Sequence, residues 1–456
     1  MHPFNKKIIF TAALVGLICV APVRAQTYTE VQASATVIGD IEFDWGRDGV
    51  YCASCNFGES NARFNWTDRD NNLWVGRLDP TTGAFTPEQG QNDLVDTTAY
   101  FWMDWGNGPE WAFSTKDGVV ASQLVYTRYV AGQSPVPGNT GAALATMTGA
   151  GAWAYGFLPG AFSTPSDGGY NNTVLPEASQ CTTDAVSMTI MKNLSTPQQM
   201  FTEPVSSAPG TVPTITPFGP YANGIGERWV PCTSWMTFQG DARSTKHGAE
   251  VQQVFWYDVT TQAVQQLTTE PTTKQRAIMF KAPDFDDNYV LVALSADDAI
   301  LVFEATEFNA NGSPIFKLVN TLRSPDPKEP YMFDPKVFIN CTPACVTYVV
   351  MGLAASTNSQ QTITVPNGLG LAQLNKTNGF FRVLVNNQNT IQRLDPKYYI
   401  TANGPYIYYD YINVLIPGSG TNTYLNEGVY YIDLQLGAPS GPCVGSSAEG
   451  GLMPGC

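Results

Sequence analysis

The chain has 456 residues, of which only 14% are charged, and it is rich in glycine (41) and proline (32). Its formal net charge of −15 argues against nucleic acid or an anionic lipid surface as a partner, because both are bound through basic patches. A neutral glycan, a protein ligand or a cation remains compatible with this charge.

The N-terminus has the three parts of a secretory signal. Lys6 and Lys7 form the positive region, residues 8–21 are mostly apolar, and Val23-Arg24-Ala25 is a small-x-small cleavage site. The sequence therefore predicts a signal peptide over residues 1–25 and a secreted or periplasmic product. No other stretch is long and apolar enough to span a bilayer, so we expect no membrane insertion.

Eight cysteines remain once the signal is removed, an even number that indicates disulfides in an oxidising compartment. Proximity in the sequence suggests three pairs and leaves a fourth, as follows: Cys52 with Cys55, Cys341 with Cys345, Cys443 with Cys456, and Cys181 with Cys232. A redox or metal motif is the alternative for Cys52 and Cys55. A redox motif would need the βαβ setting of a thioredoxin-like site, and a metal motif would need a second ligand pair spaced as in a zinc ribbon. The sequence contains neither, so a structural disulfide is favoured for Cys52 and Cys55.

In chain order, the sequence repeats one pattern of strand, turn and strand. A lead-in strand is predicted within residues 26–40, followed by hairpins over residues 72–85, 254–268 and 370–384. The strands are rich in aromatic and β-branched residues, and the turns contain Thr, Asn or Gly, which stabilise tight backbone bends. No amphipathic helix of ordinary length is predicted, and the composition is that of an all-β protein.

A short phrase of proline beside a charged residue recurs along the chain. The copies are Pro109-Glu110-Trp111, Pro176-Glu177, Pro283-Asp284-Phe285, Asp334-Pro335-Lys336 and Asp395-Pro396-Lys397, with a degenerate one near Trp229-Val230-Pro231. Such a period predicts repeated units of a few strands each, and hence a β-propeller of six or seven blades. We expect one domain over residues 26–440, its ring closed by the N-terminal strand, and a disulfide-tied tail over residues 441–456. A pair of β-sandwiches is the alternative.

Two phrases carry a resemblance to a known family. Residues 254–268, which read as a strand, Tyr-Asp, a turn and Gln-Leu-Thr, are followed by Ala282-Pro283-Asp284-Phe285. This order is similar to TolB-like propeller repeats, in the middle and C-terminal parts of the chain. The resemblance implies a propeller with an exported scaffolding or binding role, and it carries no catalytic residues.

Several enzyme classes are excluded by missing motifs. The mature sequence contains no GxxxxGK[ST], GxGxxG, HExxH or GxSxG, which argues against nucleotide enzymes, zincins and ordinary serine hydrolases. Only one histidine, His247, follows the signal, and its polar surroundings indicate a solvated loop residue rather than a catalytic base.

Carboxylates are the more plausible chemical groups. Glu110, Asp284, Asp334 and Asp395 occupy the repeated phrase, and the first strands of propeller blades converge on the central axis. Two such acids could act as a glycosidase pair, and the Asp-Pro openings are similar to those of five-bladed arabinan-type glycosidases, where the aspartate is the general base. The alternative is that these acids accept hydrogen bonds from turn backbone.

Aromatic residues and two acidic segments give weaker indications. Trp102 and Trp105, together with Trp66 and Trp153, could stack on sugars if exposed, but blade packing uses most aromatic residues. We expect no cofactor; calcium is the alternative, with oxygen ligands in residues 68–72 and 284–288.

The leading hypothesis is an exported propeller that binds a carbohydrate or a surface protein at its axial mouth. The second hypothesis is a carboxylate-dependent glycoside hydrolase or lyase on the same fold.

Overall fold

The structure is a computed structural model, and it covers most of the second half of the chain with shorter segments of the first half. It describes residues 28–37, 41–44, 62–85, 92–100, 109–116, 119–134, 139–157, 177–178, 186–192, 199–205, 216–220, 225–230, 233–244, 248–342, 344–355, 366–374, 380–385, 390–414 and 424–438. These residues contain 28 strands, one 3-10 turn and no α-helix. No described helix is long and apolar enough to cross a membrane.

The described strands form seven antiparallel sheets of four strands each, which we number as blades I to VII. The N-terminal strand is β1 (Val31–Ser34). Blades I to III consist of β2 (Glu42–Asp44), β3 (Arg63–Thr67), β4 (Leu73–Arg77) and β5 (Asp93–Asp96); β6 (Glu110–Lys116), β7 (Val119–Tyr129), β8 (Thr140–Gly149) and β9 (Ala152–Phe157); and β10 (Glu177–Ala178), β11 (Val186–Lys192), β12 (Gln199–Val205) and β13 (Thr216–Pro220).

The remaining blades follow the same order. Blades IV to VI consist of β14 (Ile225–Trp229), β15 (Trp235–Arg243), β16 (Glu250–Asp258) and β17 (Ala263–Gln266); β18 (Lys274–Ala282), β19 (Asn288–Ser295), β20 (Ala299–Phe308) and β21 (Pro314–Leu322); and β22 (Tyr331–Cys341), β23 (Cys345–Ala354), β24 (Gly368–Gln373) and β25 (Phe381–Val385). Blade VII contains β26 (Ile391–Thr401), β27 (Gly404–Val414), β28 (Tyr424–Asp433) and, beside β28, strand β1.

The pairing of β1 with β28 confirms the predicted role of the lead-in strand. Val31 lies opposite Tyr431 and Ser34 opposite Val429, so the N-terminal strand completes the last blade. Phe43 of blade I packs against Tyr399 and Tyr408 of blade VII, with ring centroids 5.3 and 4.9 Å apart. The first and last blades are therefore neighbours, and the propeller prediction is confirmed, with seven blades.

In two of the three predicted hairpins, an aspartate stabilises the turn, and the turn of the third (375–379) lies outside the described residues. Asp79 Oδ1 accepts hydrogen bonds from the backbone N–H groups of Thr81 and Thr82, and these bonds lower the pKa of Asp79. Asp258 does the same in a later hairpin, where it accepts from Thr260 N and the Thr261 hydroxyl. A side chain that satisfies turn donors locally lets the two flanking strands pair without further support.

The hydrophobic core lies between blades. One cluster joins blades VI, VII and I around Phe64, Phe338 and Tyr398, and another joins blades IV and V around Trp256 and Met279. In blades V, VI and VII, apolar side chains on both faces of a strand are buried, which is why these strands read as nearly continuous hydrophobic runs rather than strict alternation.

The Cys341–Cys345 disulfide is present and links the ends of β22 and β23. The other three predicted pairs, and the predicted signal and tail, lie outside the described residues.

We predict that unreduced mature protein treated with an alkylating reagent shows no adduct at any of its eight cysteines by mass spectrometry. Reduction before alkylation should then give an adduct at every one of them. Two or more adducts without reduction would contradict the pairing scheme.

Candidate functional site

The first strands of blades V, VI and VII share a local distortion near their beginnings. The pairing register shifts between Gln275 and Ile278 in β18, and the corresponding shift occurs after Phe333 in β22 and after Leu394 in β26. Each bulge contains one residue with a positive φ, as follows: Arg276 (52°), Asp334 (43°) and Asp395 (48°). Aspartate tolerates this left-handed conformation better than most residues, and the bulge turns its side chain away from the regular alternation.

The bulges help to build a chain of alternating charges across four blades, which we call the axial ladder. Its six members, in spatial order, are Arg276, Asp334, Lys336, Asp395, Lys397 and Glu42. The ladder contains three cations and three carboxylates, so its own charge is balanced. It begins in blade V, passes through blades VI and VII, and ends on β2 of blade I.

The distances show that each carboxylate contacts a cation. Arg276 Nε lies 3.7 Å from Asp334 Oδ1, and Lys336 Nζ lies 3.8 Å from Asp334 Oδ2. The same Lys336 Nζ lies 3.5 Å from Asp395 Oδ1, while Lys397 Nζ lies 3.3 Å from Asp395 Oδ2. Lys397 also donates a hydrogen bond to Glu42. Lys336 therefore bridges two blades, and Lys397 connects blade VII to blade I.

Solvent reaches one end of the ladder and not the other. The side chains of Arg276 and Asp334 are 33% and 19% exposed, whereas that of Asp395 is 4% and that of Lys397 is 0%. We call the Arg276 and Asp334 end the axial mouth. Buried charges are stable only when they are paired, so the inner section of the ladder holds the blades together and the mouth is the section that a ligand can touch.

This arrangement does not suit a glycosidase pair built from Asp334 and Asp395. A glycosidic bond has to lie between two carboxyl groups about 5 to 10 Å apart. Here the ammonium group of Lys336 occupies the space between the two aspartates. Neither carboxylate could transfer a proton to a sugar without giving up its lysine partner.

Glu110 lies on the first strand of the next blade. It is buried at the start of β6 in blade II, and the following residue, Trp111, donates its indole N–H to the backbone oxygen of Glu42, 3.0 Å away. This bond fixes β6 beside β2. Glu110 therefore occupies the inner-strand position that the sequence predicts, one blade beyond the end of the ladder.

Asp284 lies elsewhere, because its copy of the phrase is not equivalent to the others. Residues 283–285 form the 3-10 turn after β18, at the opposite end of the first strand from the bulges. Asp284 accepts hydrogen bonds from the backbone N–H (2.9 Å) and the hydroxyl (2.5 Å) of Thr347 in blade VI. It is a turn residue that ties blades V and VI together, and the structure does not bring it to the axial mouth.

The structure describes only some of the aromatic residues that the sequence suggested for sugar binding. Trp102 and Trp105 lie outside the described residues, as does His247. Trp66 is buried and stacks on Phe64 and Trp74, with ring centroids 5.3 and 6.1 Å apart. Trp153 is partly buried and donates its indole N–H to Asp93. Trp66 is thus a core residue rather than a sugar-binding one.

The first calcium candidate is a hydrogen-bonded turn. Asp68 accepts bonds from the backbone N–H groups of Asp70 and Asn72 and from the indole N–H of Trp74, at 2.9, 2.9 and 2.7 Å. Its carboxylate oxygens are occupied by donors, which a cation would have to displace. Among the described residues, no group of three or more His, Cys, Asp and Glu side chains could hold a metal ion.

Four ladder members were not predicted as site residues: Arg276, Lys336, Lys397 and Glu42. Both lysines stand in the repeated Asp-Pro-Lys phrase, and a lysine two residues after an aspartate in two adjacent blades is the signal that could have indicated pairing. Glu42 carries no such signal, because its partner Lys397 is 355 residues away in the sequence.

No protein-family model and no curated protein matches the sequence. Solved structures that resemble the fold include the following three. A sialidase of Trypanosoma rangeli is 9% identical, with a TM-score of 0.42, over 82% of this chain; the match spans 59% of the sialidase chain. An oligogalacturonate lyase from Vibrio parahaemolyticus is 11% identical, with a TM-score of 0.43, over 90% of this chain and 98% of that one. A protein of unknown function from Dyadobacter fermentans is 10% identical, with a TM-score of 0.38, over 74% and 96%.

Proposed function

We propose that the protein is an exported β-propeller that binds a carbohydrate or a surface protein at its axial mouth and does no chemistry there. The observation that carries this proposal is the pairing of the axial carboxylates with cations of the same ladder. Acids that hold a ring of blades together are structural, whereas a hydrolase needs at least two that are free to exchange protons with a substrate.

The proposed export and binding role have further support. The predicted signal over residues 1–25 and the Cys341–Cys345 disulfide are both typical of an oxidising compartment. The resemblance to TolB-like repeats favours a scaffolding or binding role over catalysis. At the mouth, Arg276 supplies guanidinium donors and Asp334 carboxylate acceptors, and both are partly exposed. Sugar hydroxyl groups and polar protein groups can bond to either.

Asp334→Asn is expected to weaken partner binding about fivefold or more, which corresponds to the loss of roughly one charged hydrogen bond. Asparagine also tolerates a positive φ, so this change removes the charge without straining the bulge. The measurement is retention of mature protein, residues 26–456, on a panel of immobilised polysaccharides and on surface proteins extracted from the source cells.

Asp433→Asn is the matched control, because Asp433 is exposed at the end of β28 in blade VII, whereas the axial mouth lies where the first strands begin. It should leave retention unchanged. Reducing sugar released from the same polysaccharides is measured in parallel. Release that disappears in Asp395→Asn would instead support the glycoside hydrolase, and retention unaffected by both Asp334→Asn and Arg276→Gln would remove the axial mouth as the binding site.

A further inference from the structure

Three aromatic side chains meet at the junction of blades IV and V, on the end of the propeller opposite to the axial mouth. Trp235 begins β15, Tyr289 is the second residue of β19 and Phe308 ends β20. Adjacent antiparallel strands place these positions at the same end of the sheets, where first strands finish rather than begin. We call Trp235, Tyr289 and Phe308 the aromatic corner.

The rings of the aromatic corner contact one another at steep angles. The Trp235 and Tyr289 centroids are 5.0 Å apart at 45°, and Phe308 lies 6.1 Å from Tyr289 at 82°. Trp235 also packs edge-on against the fully buried Trp256, 5.6 Å away. The corner is therefore anchored in the core on one side, while Phe308 is 51% exposed on the other. Phe308 therefore offers an accessible aromatic face on a rigid support, on which the apolar face of a ligand can stack.

Three hydrogen-bond donors belong to the aromatic corner or lie beside it. They are the indole N–H of Trp235, the hydroxyl of Tyr289 and the ammonium group of Lys281, which lies 5.2 Å from the centre of the Tyr289 ring. Among the residues that the structure describes, none of the three donates a hydrogen bond to protein. Burial raises the pKa of Tyr289, so its hydroxyl keeps the proton that it can donate. Aromatic faces with nearby donors suit a ligand that has both an apolar face and many acceptor oxygens.

We propose that the aromatic corner is a glycan-binding site, in which a pyranose ring stacks on Phe308 and its hydroxyl oxygens accept hydrogen bonds from Trp235, Tyr289 and Lys281. A pyranose presents axial C–H groups on one face and hydroxyl groups around its rim, and these match the rings and the donors respectively. This site is separate from the axial mouth and does not depend on it.

The probes are cellohexaose, mannohexaose, xylohexaose, chitohexaose and an oligosaccharide of uronic acids, each titrated by calorimetry against the mature protein. At least one should bind, and Phe308→Ala should weaken that binding about tenfold, as removal of a stacking ring does at other aromatic binding sites. Tyr289→Phe keeps the ring and should cost less, about threefold, for one hydrogen bond. Lys281→Gln distinguishes the ligands, because it should weaken a uronic acid oligosaccharide far more than a neutral one.

Tyr155→Ala is the matched control: Tyr155 is 44% exposed on blade II, where its ring contacts Arg128 and not the rings of blades IV and V. Its affinity should equal that of the unchanged protein. Phe308 is exposed, so its replacement should leave the melting temperature nearly unchanged and the affinity readout interpretable. The proposal is overturned if none of the five probes binds, or if Phe308→Ala leaves affinity unchanged. Asp334→Asn, measured beside it, shows whether a sugar bound at the axial mouth instead.

Discussion

A protein that begins at residue 41, and so lacks the lead-in residues 26–40, is expected to lose about 3 to 5 kcal/mol of its free energy of unfolding and to self-associate. The loss has two sources. Without β1, the backbone groups of β28 that pair with Val31 to Ser34 form an open edge. The deletion also removes Glu30, which pairs with the fully buried Arg393. Denaturant unfolding and sedimentation velocity measure the two effects.

The Glu30 contribution comes from a network that only the lead-in segment completes. Arg393 Nε and Nη2 lie 2.6 and 2.8 Å from the two carboxylate oxygens of Glu30, and the Tyr409 hydroxyl donates to the same carboxylate. Burial opposes the charge of Arg393, but the bonds and the charge of Glu30 outweigh it and raise the pKa of Arg393. Burial and the Glu30 charge also raise the pKa of Tyr409. Without Glu30, the buried guanidinium of Arg393 and the hydroxyl of Tyr409 would both lose their hydrogen bonds to its carboxylate.

Glu30→Gln in the full-length protein separates this network from the strand pairing. It should cost about 2 to 4 kcal/mol and cause no association, because β1 is still present. Glu307→Gln is the control, since Glu307 pairs with Lys317 on the surface and both side chains are more than 60% exposed. That change should stay within about 0.5 kcal/mol. An unchanged melting temperature in the truncated protein would rule out closure by the lead-in segment.

The all-β architecture could be predicted from the sequence because its signals are local. Turn aspartates such as Asp79 and Asp258 act on residues two or three positions away, so the hairpins and the propeller follow from short stretches. The repeated proline phrase was less reliable. It marks a first strand at Asp334 and Asp395 but a turn after a first strand at Asp284, since proline beside an acid suits either place.

The axial ladder could not be predicted in the same way. Its members come from four blades, and pairs such as Lys397 with Glu42 depend on the ring being closed. From the sequence alone, an acid at the start of a repeated strand resembles a ligand-binding residue. Only the structure shows that a lysine of the neighbouring blade pairs with it, as Lys336 does with Asp395. The aromatic corner was missed for a similar reason, because Trp235, Tyr289 and Phe308 belong to different strands and only the packing of blade IV on blade V brings them together.

Lys397→Met is expected to lower the free energy of unfolding by about 3 to 5 kcal/mol, because it removes the cation between two buried carboxylates. Lys397 is fully buried, and its partners Glu42 and Asp395 are 1% and 4% exposed. In this variant Asp395 is still paired with Lys336, whereas Glu42 loses its ion-pair partner. Most of the lost stability therefore comes from the unpaired, buried charge of Glu42. Adding Glu42→Gln to Lys397→Met should therefore recover about half of the loss. Lys317→Met, at an exposed ion pair, is the control and should cost less than about 1 kcal/mol.

The same denaturation series decides between a structural and a catalytic ladder. Carboxylates kept for catalysis repel one another and are often held at a cost to stability, so neutralising one of them should leave stability equal or higher. A structural ladder predicts the opposite, because Asp395→Asn leaves Lys336 and Lys397 facing each other across an uncharged amide. We expect Asp395→Asn to destabilise the protein by about 2 kcal/mol or more. A stabilised Asp395→Asn variant, together with no recovery in the Glu42→Gln and Lys397→Met double variant, would show that the axial charges serve a reaction rather than the ring.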